Sequence, residues 1–318
     1  MTEPIGRSPA DMPPGGPIVH KPTSAGGLPP QAIPVRHYGR WISAVLVLGV
    51  LALIGTAFSK ADVHWGVIPD YLSFETIVKG AANTLLITVL SMIVGVGLGV
   101  VLAVMRLSKN PVTSTVAWMY IYVFRGTPVL VQLLLWYNLA LIIPVLNLGF
   151  YRDEMTNVMT PFLAALLGLG LNEAAYMAEI CRAGIQSVDE GQTEASHALG
   201  LTTTQTMRRI VLPQAMRVIV PPTGNELINM LKTSSLAYTI QYPELLKAAT
   251  DISSRTLAVM EMLFVASIWY LVLTSIFSVG QYYLERRFAR GATRNLPPTP
   301  LQKVRANLTR LSHQERVA

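Results

Sequence analysis

Four polar residues lie close together in residues 214–236, a stretch of the chain that is otherwise largely apolar. They are Asn225, Glu226, Asn229 and Lys232. If the stretch is helical, Asn225, Asn229 and Lys232 share one face, and Glu226 lies about 100° further round. Polar side chains within a membrane span are costly and usually face an interior cavity. The group therefore predicts either a path for a polar solute or a structural network of charged residues.

Two helix-breaking motifs stand near these and other polar residues. Residues 125–128 read Arg-Gly-Thr-Pro, in which the proline removes a backbone hydrogen bond and the glycine loosens the turn. Pro221, Pro222 and Gly224 form the second motif. Broken helices often line cavities, and a plain kink is the alternative at each place. The residues expected to border a polar path are Arg125, Thr127, Gln132, Glu173, Asn225, Glu226, Asn229, Lys232 and Ser234.

A long polar segment, residues 187–213, separates two apolar stretches and is called loop 187–213 below. Residues 190–199 have a helical composition, and Gly200 is a natural helix stop. Residues 202–204, all threonine, can cap a second short helix over about 204–210, and Pro213 suits the first turn of the next helix. A small apolar face is expected from Ala195, Ala198 and Leu199, beside Glu194. The loop is either a knob that docks into a groove of a soluble partner or an ordinary surface loop.

Several kinds of chemistry find no support in the sequence. His64 and His197 have no further ligands at metal spacing, so no metal site is predicted. The sequence contains no visible Ser-His-Asp arrangement and no Gly-x-x-x-x-Gly-Lys-Ser/Thr loop for nucleotide phosphates. The single cysteine, Cys181, cannot form an internal disulfide and is expected to be a small apolar residue rather than a reactive thiol.

These residues are embedded in a strongly apolar chain. Of its 318 residues, 51% are hydrophobic and only 14% are charged, whereas about 25% are charged in an average soluble domain. Since about 20 apolar residues cross a bilayer as a helix, the chain is predicted to be an all-α integral membrane protein with about six transmembrane helices. The expected spans are residues 41–59, 81–105, 114–143, 161–185, 214–236 and 257–284.

The basic residues indicate how the chain is oriented in the membrane. Of the 25 lysines and arginines, 18 fall in the N-terminal tail, the turn after the second span, the region of loop 187–213 and the C-terminal tail. Because cytoplasmic segments are rich in lysine and arginine, both termini are predicted to be cytoplasmic. Residues 1–40, rich in proline and glycine, are predicted to be a disordered cytoplasmic tail, and residues 289–318 a basic cytoplasmic tail. The net charge of +7 follows from this placement, and no basic stripe with interleaved aromatics predicts nucleic-acid binding.

The order and spacing of several motifs resemble a known family. Residues 194–213 read Glu-Ala-Ser, three residues, Gly, nine residues and Ile-Val-Leu-Pro. This pattern is similar to the signature of permease subunits of ATP-binding-cassette (ABC) importers, with Ser196 at a position where the signature has alanine. The residues that the resemblance associates with coupling to an ATPase are Gly191, Glu194, Ala195, Ser196, Gly200, Ile210, Leu212 and Pro213.

Other stretches resemble one branch of that family, the polar amino-acid permeases of the histidine/glutamine type. The matching stretches are residues 83–85, 125–128, 175–182, 191–192 and 232–236. In the last of them the family commonly has aspartate where this chain has Thr233. The resemblance covers about residues 72–288, which would be the permease domain with a five-helix core. Residues 41–59 would be an extra N-terminal transmembrane helix.

The resemblance implies a division of labour among subunits. The chain would be a multi-pass permease of the cell (plasma or inner) membrane, surrounded by lipid, and neither an enzyme by itself nor the binder of a cofactor. A cytoplasmic ABC ATPase dimer, docked at loop 187–213, would bind ATP and Mg²⁺. A second permease subunit, identical or a sister chain, would complete the pathway, and an extracytoplasmic binding protein would deliver a polar amino acid.

The implied cargo carries two charges that need partners once it leaves water. Its carboxylate can pair with Arg125 or Lys232, and its ammonium with Glu173, Glu179 or Glu226. An ion-coupled secondary amino-acid transporter is the alternative function, but it leaves loop 187–213 unexplained. A membrane-anchored scaffold would leave the charged residues of the fifth span unexplained.

Overall fold

The computed structural model describes residues 38–60 and 63–289 of the chain, and nearly all of its regular structure is helical. Helix α1, Tyr38–Ser59, stands as a unit by itself. Its residues Ile42–Ser59 are long and apolar enough to cross a membrane, which agrees with the predicted N-terminal span. Apart from residues 38–40 and 289, which are helical, the predicted tails 1–40 and 289–318 lie outside the described residues.

The second unit, from residue 63 onward, contains eleven further helices and one hairpin within the described part of the chain. In chain order they are α2 (Ile68–Leu72), α3 (Glu75–Leu107), α4 (Pro111–Gly126), α5 (Val129–Tyr137), β1 (Val145–Asn147), β2 (Arg152–Glu154), α6 (Met155–Val158), α7 (Pro161–Gln186), α8 (Glu190–Ala198), α9 (Thr203–Thr206), α10 (Leu212–Thr233), α11 (Leu245–Thr256) and α12 (Val259–Ala289). Short 3-10 helices occupy Trp65–Val67, Leu139–Leu141 and Ser234–Ile240, and a π-helical turn occupies Met207–Val211.

Helices α3 and α7 pack closely because glycines of α3 face bulky residues of α7. A Cβ atom at Gly95 would lie 2.5 Å from Cγ of Glu173, and one at Gly99 would lie 2.5 Å from Cβ of Met177. Small residues let the backbones of membrane helices approach each other. Glycine at these two positions therefore permits the close approach of α3 and α7.

The predicted third span, residues 114–143, is not one helix. Helices α4 and α5 are joined by two residues and bend by 100° relative to each other. The chain then runs through the 3-10 helix Leu139–Leu141 into the antiparallel hairpin β1–β2, in which Val145 pairs with Glu154. The break predicted at residues 125–128 is confirmed, and its angle is too large for the alternative of a plain kink.

Four helices of the described residues are long and apolar enough to cross a membrane, or five if α4 and α5 count as one span. They are α1, α3, α7 and α12. The predicted fifth span, residues 214–236, corresponds to α10, which ends at Thr233 and is not among them. Polar residues such as Glu226 and Lys232 lower the hydropathy of α10, which explains why its composition alone does not identify it as a membrane span.

A buried carboxylate fixes the segment between α10 and α12, where the sequence predicts no element. Glu244 is 0% exposed and accepts hydrogen bonds from the backbone amides of Leu246 (2.8 Å) and Lys247 (2.7 Å) and from the hydroxyl of Tyr270 (2.6 Å). Burial raises the pKa of Glu244 above its usual range, while these hydrogen bonds oppose the rise. Glu244 thereby caps α11 and fastens its first turn to α12.

Candidate functional site

A cavity of about 860 Å³ lies between the α4–α5 break, α7, α10 and the 3-10 helix that follows α10. Most of its lining is polar or charged, which agrees with the expectation that the helix break borders a polar space. The polar residues of the lining are Arg125, Thr127, Asn172, Glu173, Tyr176, Glu226, Asn229, Lys232, Thr233 and Ser235. We call this space the central cavity.

Side-chain amides repair the backbone at the break. Pro128 has no N–H, so the carbonyl of Phe124 lacks its usual helical donor. Nε2 of Gln132 and Nδ2 of Asn172 both donate to that carbonyl, each at 2.9 Å. Gln132 also donates to the hydroxyl of Thr127 at 2.7 Å and accepts from Asn172 at 3.2 Å. Gln132 is buried and does not line the central cavity. Its hydrogen bonds stabilise the conformation of the chain at the break.

The two cations of the central cavity are held very differently. The guanidinium of Arg125 lies 4.0 Å from Oε2 of Glu179 and 5.2 Å from the ring centre of Tyr176. Glu179 makes a closer pair with Arg182, at 2.7 Å. Lys232 forms no ion pair with any residue that the structure describes. The ammonium of Lys232 is therefore available to a ligand.

Two carboxylates line the same cavity. Glu173 is 4% exposed, and among the described residues its Oε1 atom has no hydrogen-bond partner. Glu226 is half-buried and lines the cavity one turn before Met230. A buried carboxylate oxygen without a donor is unfavourable, so Glu173 offers a site for a hydrogen-bond donor or a cation.

The predicted polar face of α10 is turned slightly from its expected direction. Asn229 and Lys232 line the central cavity, as expected, together with Glu226. Asn225 is exposed and is not among the lining residues. Ser234 is also not in the lining: it is buried and donates to the carbonyl of Leu231 at 2.9 Å.

Several residues of the lining were not predicted from the sequence. Asn172 and Tyr176 lie four positions apart on α7, with Glu173 between them, and all three line the cavity. This i, i+4 spacing of polar residues in an apolar helix is the signal that could have identified them. Thr233 and Ser235 carry no comparable signal, because they belong to the turn where α10 becomes a 3-10 helix.

Loop 187–213 contains the predicted first short helix, α8, whereas the predicted second helix, 204–210, is not separate: α9 continues through the π-helical turn Met207–Val211 into α10. The carboxylate of Asp189 accepts the amide of Gly191 at 2.8 Å and caps α8. Gly200 ends α8 with a φ of +79°, a conformation that favours glycine. Thr202 and Gln205 then form a reciprocal capping box at the start of α9. Pro213 lies in the first turn of α10, as expected.

The serine that replaces the signature's alanine has a structural role in this loop. Ser196 is buried and donates to the carbonyl of Thr193 at 2.8 Å. Its hydroxyl also lies 3.0 Å from that of Thr206, which joins α8 to α9. The outer surface of α8 is open by contrast: Glu194 and Ala195 are exposed, and Leu199 just after the helix is 82% exposed.

Comparisons with known proteins cover most of the chain. Residues 95–290 match the protein-family model described as "Binding-protein-dependent transport system inner membrane component". The chain is 51% identical over 271 residues to the arginine transport system permease protein ArgU of Corynebacterium glutamicum, which covers 84% of this chain and 86% of that protein.

A second relative and a solved structure agree with this match. The histidine/lysine/arginine/ornithine transport system permease protein HisM of Escherichia coli is 36% identical over 205 residues, which are 62% of this chain and 82% of HisM. The crystal structure of an amino acid ABC transporter with histidines contains a chain that is 37% identical, with a TM-score of 0.63. The match covers 71% of this chain and 100% of the other.

Proposed function

Because the chain belongs to the family of binding-protein-dependent transport system inner membrane components, we propose that its central cavity is the path by which a polar amino acid crosses the membrane. The chain is a multi-pass membrane permease subunit of an amino-acid ABC importer. The ATPase is a separate subunit, so the chain is not itself an enzyme. This membership sets aside the ion-coupled secondary transporter.

One observation carries the proposal for the path: opposite charges without full partners line a single polar cavity of about 860 Å³. Arg125 and Lys232 supply positive charge, Glu226 supplies negative charge, and the buried carboxyl group of Glu173 supplies a further acceptor. An amino acid brings a carboxylate and an ammonium, both of which need partners once they are desolvated. Asn172, Tyr176 and Asn229 add groups that can donate or accept hydrogen bonds.

The cargo that we propose is a polar amino acid with a cationic side chain. The lining offers two carboxyl groups, Glu173 and Glu226, to the two cationic groups of such a substrate, and two cations, Arg125 and Lys232, to its carboxylate. The names of ArgU and HisM, which refer to arginine and to histidine, lysine, arginine and ornithine, support the same choice.

Loop 187–213 is proposed as the contact to the ATPase. Its exposed Glu194, Ala195 and Leu199 would enter a groove of the soluble subunit, as short helices commonly do. ATP and Mg²⁺ would be bound by a pair of such ATPase subunits, and a binding protein outside the membrane would deliver the substrate. A second permease, identical or a sister chain, would complete the pathway.

We further propose six transmembrane helices with both termini in the cytoplasm. Helix α10 is the additional span in this count, although it is too polar for its composition alone to identify it as one. Loop 187–213 and the basic end of α12 then lie on the same, cytoplasmic side, as the distribution of lysine and arginine favours.

Uptake of labelled amino acids by the reconstituted complex tests the proposed function. The complex, with its ATPase and binding protein, is expected to take up arginine or lysine faster than glutamine, and glutamine faster than glutamate. Glu226→Gln with the same binding protein should narrow the preference for cationic substrates, because it removes one negative charge from the cavity. A preference for glutamate, or uptake that does not need ATP, would contradict the proposal.

A further inference from the structure

A second polar cavity, of about 490 Å³, lies between α4 and α7. Its charged lining consists of three arginines and one glutamate: Arg106, Arg125, Arg182 and Glu179. Trp118 and Tyr122 of α4, whose rings stack with centres 5.4 Å apart, form part of its wall. We call this space the second cavity.

The two cavities share part of their lining. Arg125, Gly126 and Tyr176 line both of them. The guanidinium of Arg125, 5.2 Å from the ring centre of Tyr176, is therefore part of the partition between two polar spaces. Arg106 is in the last turn of α3, which the proposed orientation places in the cytoplasm. The second cavity then leads from the partition toward the cytoplasmic side.

The partition is held by weak contacts. Glu179 is already engaged by Arg182, which donates to both of its carboxylate oxygens at 3.2 and 2.7 Å. Arg125 stands 4.0 Å from the same carboxylate, and its side chain is 43% exposed. Gly126 presents no side chain, and a Cβ there would contact nothing within 4 Å. The guanidinium of Arg125 can thus leave Glu179 without leaving that carboxylate unpaired.

The charges differ on the two sides of the partition. The central cavity has two carboxylates and one ammonium besides Arg125. The second cavity has two arginines and one carboxylate besides Arg125. An amino acid in the central cavity would therefore direct its cationic groups toward the glutamates and its carboxylate toward Lys232 and Arg125. Beyond the partition, the excess of guanidinium groups suits the same carboxylate.

We propose that Arg125 and Tyr176 form a gate between the two cavities and that the second cavity is a further station for the α-carboxylate of the transported amino acid. This inference rests on the proposed function, because it assumes that substrate passes through the central cavity. Arg125 is a gating and positioning residue: it holds the carboxylate and moves with it from one cavity to the other.

Thiol labelling of the assembled complex tests the gate. The background is Cys181→Ala, since Cys181 is the one cysteine of the chain. Thr233→Cys then reports on the central cavity and Tyr122→Cys on the second. In inside-out vesicles without ATP, an impermeant maleimide should label Tyr122→Cys and spare Thr233→Cys. The minor conformation of a two-state protein is populated at about 10% or less. If Arg125→Gln makes the open gate the major conformation, the labelling of Thr233→Cys should rise about tenfold or more.

Two further variants separate the gate from a general loss of structure. Arg125→Lys keeps the charge but not the planar group over Tyr176, so it should give labelling between that of the parent and that of Arg125→Gln. Arg255→Gln removes an exposed arginine of α11 that lines neither cavity, and it should change nothing. The gate would be overturned if Thr233→Cys were labelled equally in the parent and in Arg125→Gln, in complexes that still contain the ATPase.

Protection by substrate tests the station. Arginine at saturating concentration should slow the labelling of Tyr122→Cys, whereas agmatine, the same molecule without the carboxylate, should not. Equal protection by both, or none by either, would overturn the station. Uptake by the unmodified complex is measured in parallel: if uptake is absent, the proposed function fails, whereas normal uptake with an unchanged labelling pattern refutes only the gate.

Discussion

The central cavity and loop 187–213 differ in the kind of side chain that has no partner among the described residues: it is charged in the cavity and apolar in the loop. In the cavity, Gln132 and Asn172 satisfy the broken backbone, but the ammonium of Lys232 has no ionic partner among the described residues. In the loop, capping groups satisfy one another, and the apolar side chain of Leu199 remains 82% exposed. Unpaired charge suits a polar solute, whereas exposed apolar surface suits a protein partner.

In each region, the side chains that stabilise the local structure differ from those that are proposed to bind a solute or a protein partner. In both regions the holding groups are buried polar side chains, Gln132 in one and Ser196 in the other. The groups proposed to bind a solute or a partner, such as Lys232 and Leu199, are exposed. Substitutions of the two kinds should therefore have different effects on assembly, transport and stability.

The largest loss of uptake is expected from Leu199→Asp. An apolar anchor of a protein interface contributes about 2 kcal/mol or more, so ATP-dependent uptake and co-purification of the ATPase should fall roughly 30-fold. Thermal stability of the permease should change little, because the side chain is exposed. The matched control is Leu257→Asp, which alters a side chain that is 84% exposed outside the loop. A similar loss of uptake with Leu257→Asp would show that the effect is not specific to loop 187–213.

A smaller loss is expected from changes in the central cavity. Lys232→Ala should reduce uptake about tenfold, because a hydrogen bond to a charged group contributes roughly 1.5 kcal/mol when, as here, the side chain is exposed. The amount of ATPase in the purified complex should not change. Asn225→Ala is the control on the same helix, since Asn225 does not line the cavity. If Asn225→Ala impairs uptake as much as Lys232→Ala, the cavity is not the path.

The smallest effect on uptake is expected from the holding groups, which act on stability instead. Gln132→Leu leaves the carbonyl of Phe124 with one donor fewer in a buried site, so the free energy of unfolding should fall by roughly 1–3 kcal/mol. Ser196→Ala, the corresponding change in the loop, should cost about 0.5–1.5 kcal/mol. Thermal unfolding of the solubilised complex measures both. An unchanged unfolding midpoint for Gln132→Leu would show that the break is held by other contacts.

Local signals in the sequence predicted the regular helices well. Pro161 follows a threonine and precedes an uncharged apolar run, and α7 begins at Pro161 and ends one residue beyond the expected 185. In loop 187–213, Gly200 and the threonine cluster gave the correct stop and start, because capping depends on residues three or four positions apart.

Features that depend on distant residues were not predictable. The sequence Arg-Gly-Thr-Pro indicates a break but not its angle of 100°. The hydrogen bond that Asn172 of α7 donates to the carbonyl of Phe124 at the break joins residues 48 positions apart. The turn of α10 that brings Glu226 to the cavity in place of Asn225 depends on packing against α7 and α12. Glu244 carries no local signal of its burial, because its partner Tyr270 lies 26 positions away.

The π-helical turn Met207–Val211 connects α9 to α10 without an intervening coil. Each residue of a helix advances it by about 100°, so one residue added or removed between Thr203 and Val211 would rotate α10 about its own axis by about that angle relative to α9. Glu226, Asn229 and Lys232 would then point away from the central cavity. The number of residues between Thr203 and Val211 therefore sets the direction of the polar face of α10 relative to α9, whichever side chains those residues carry.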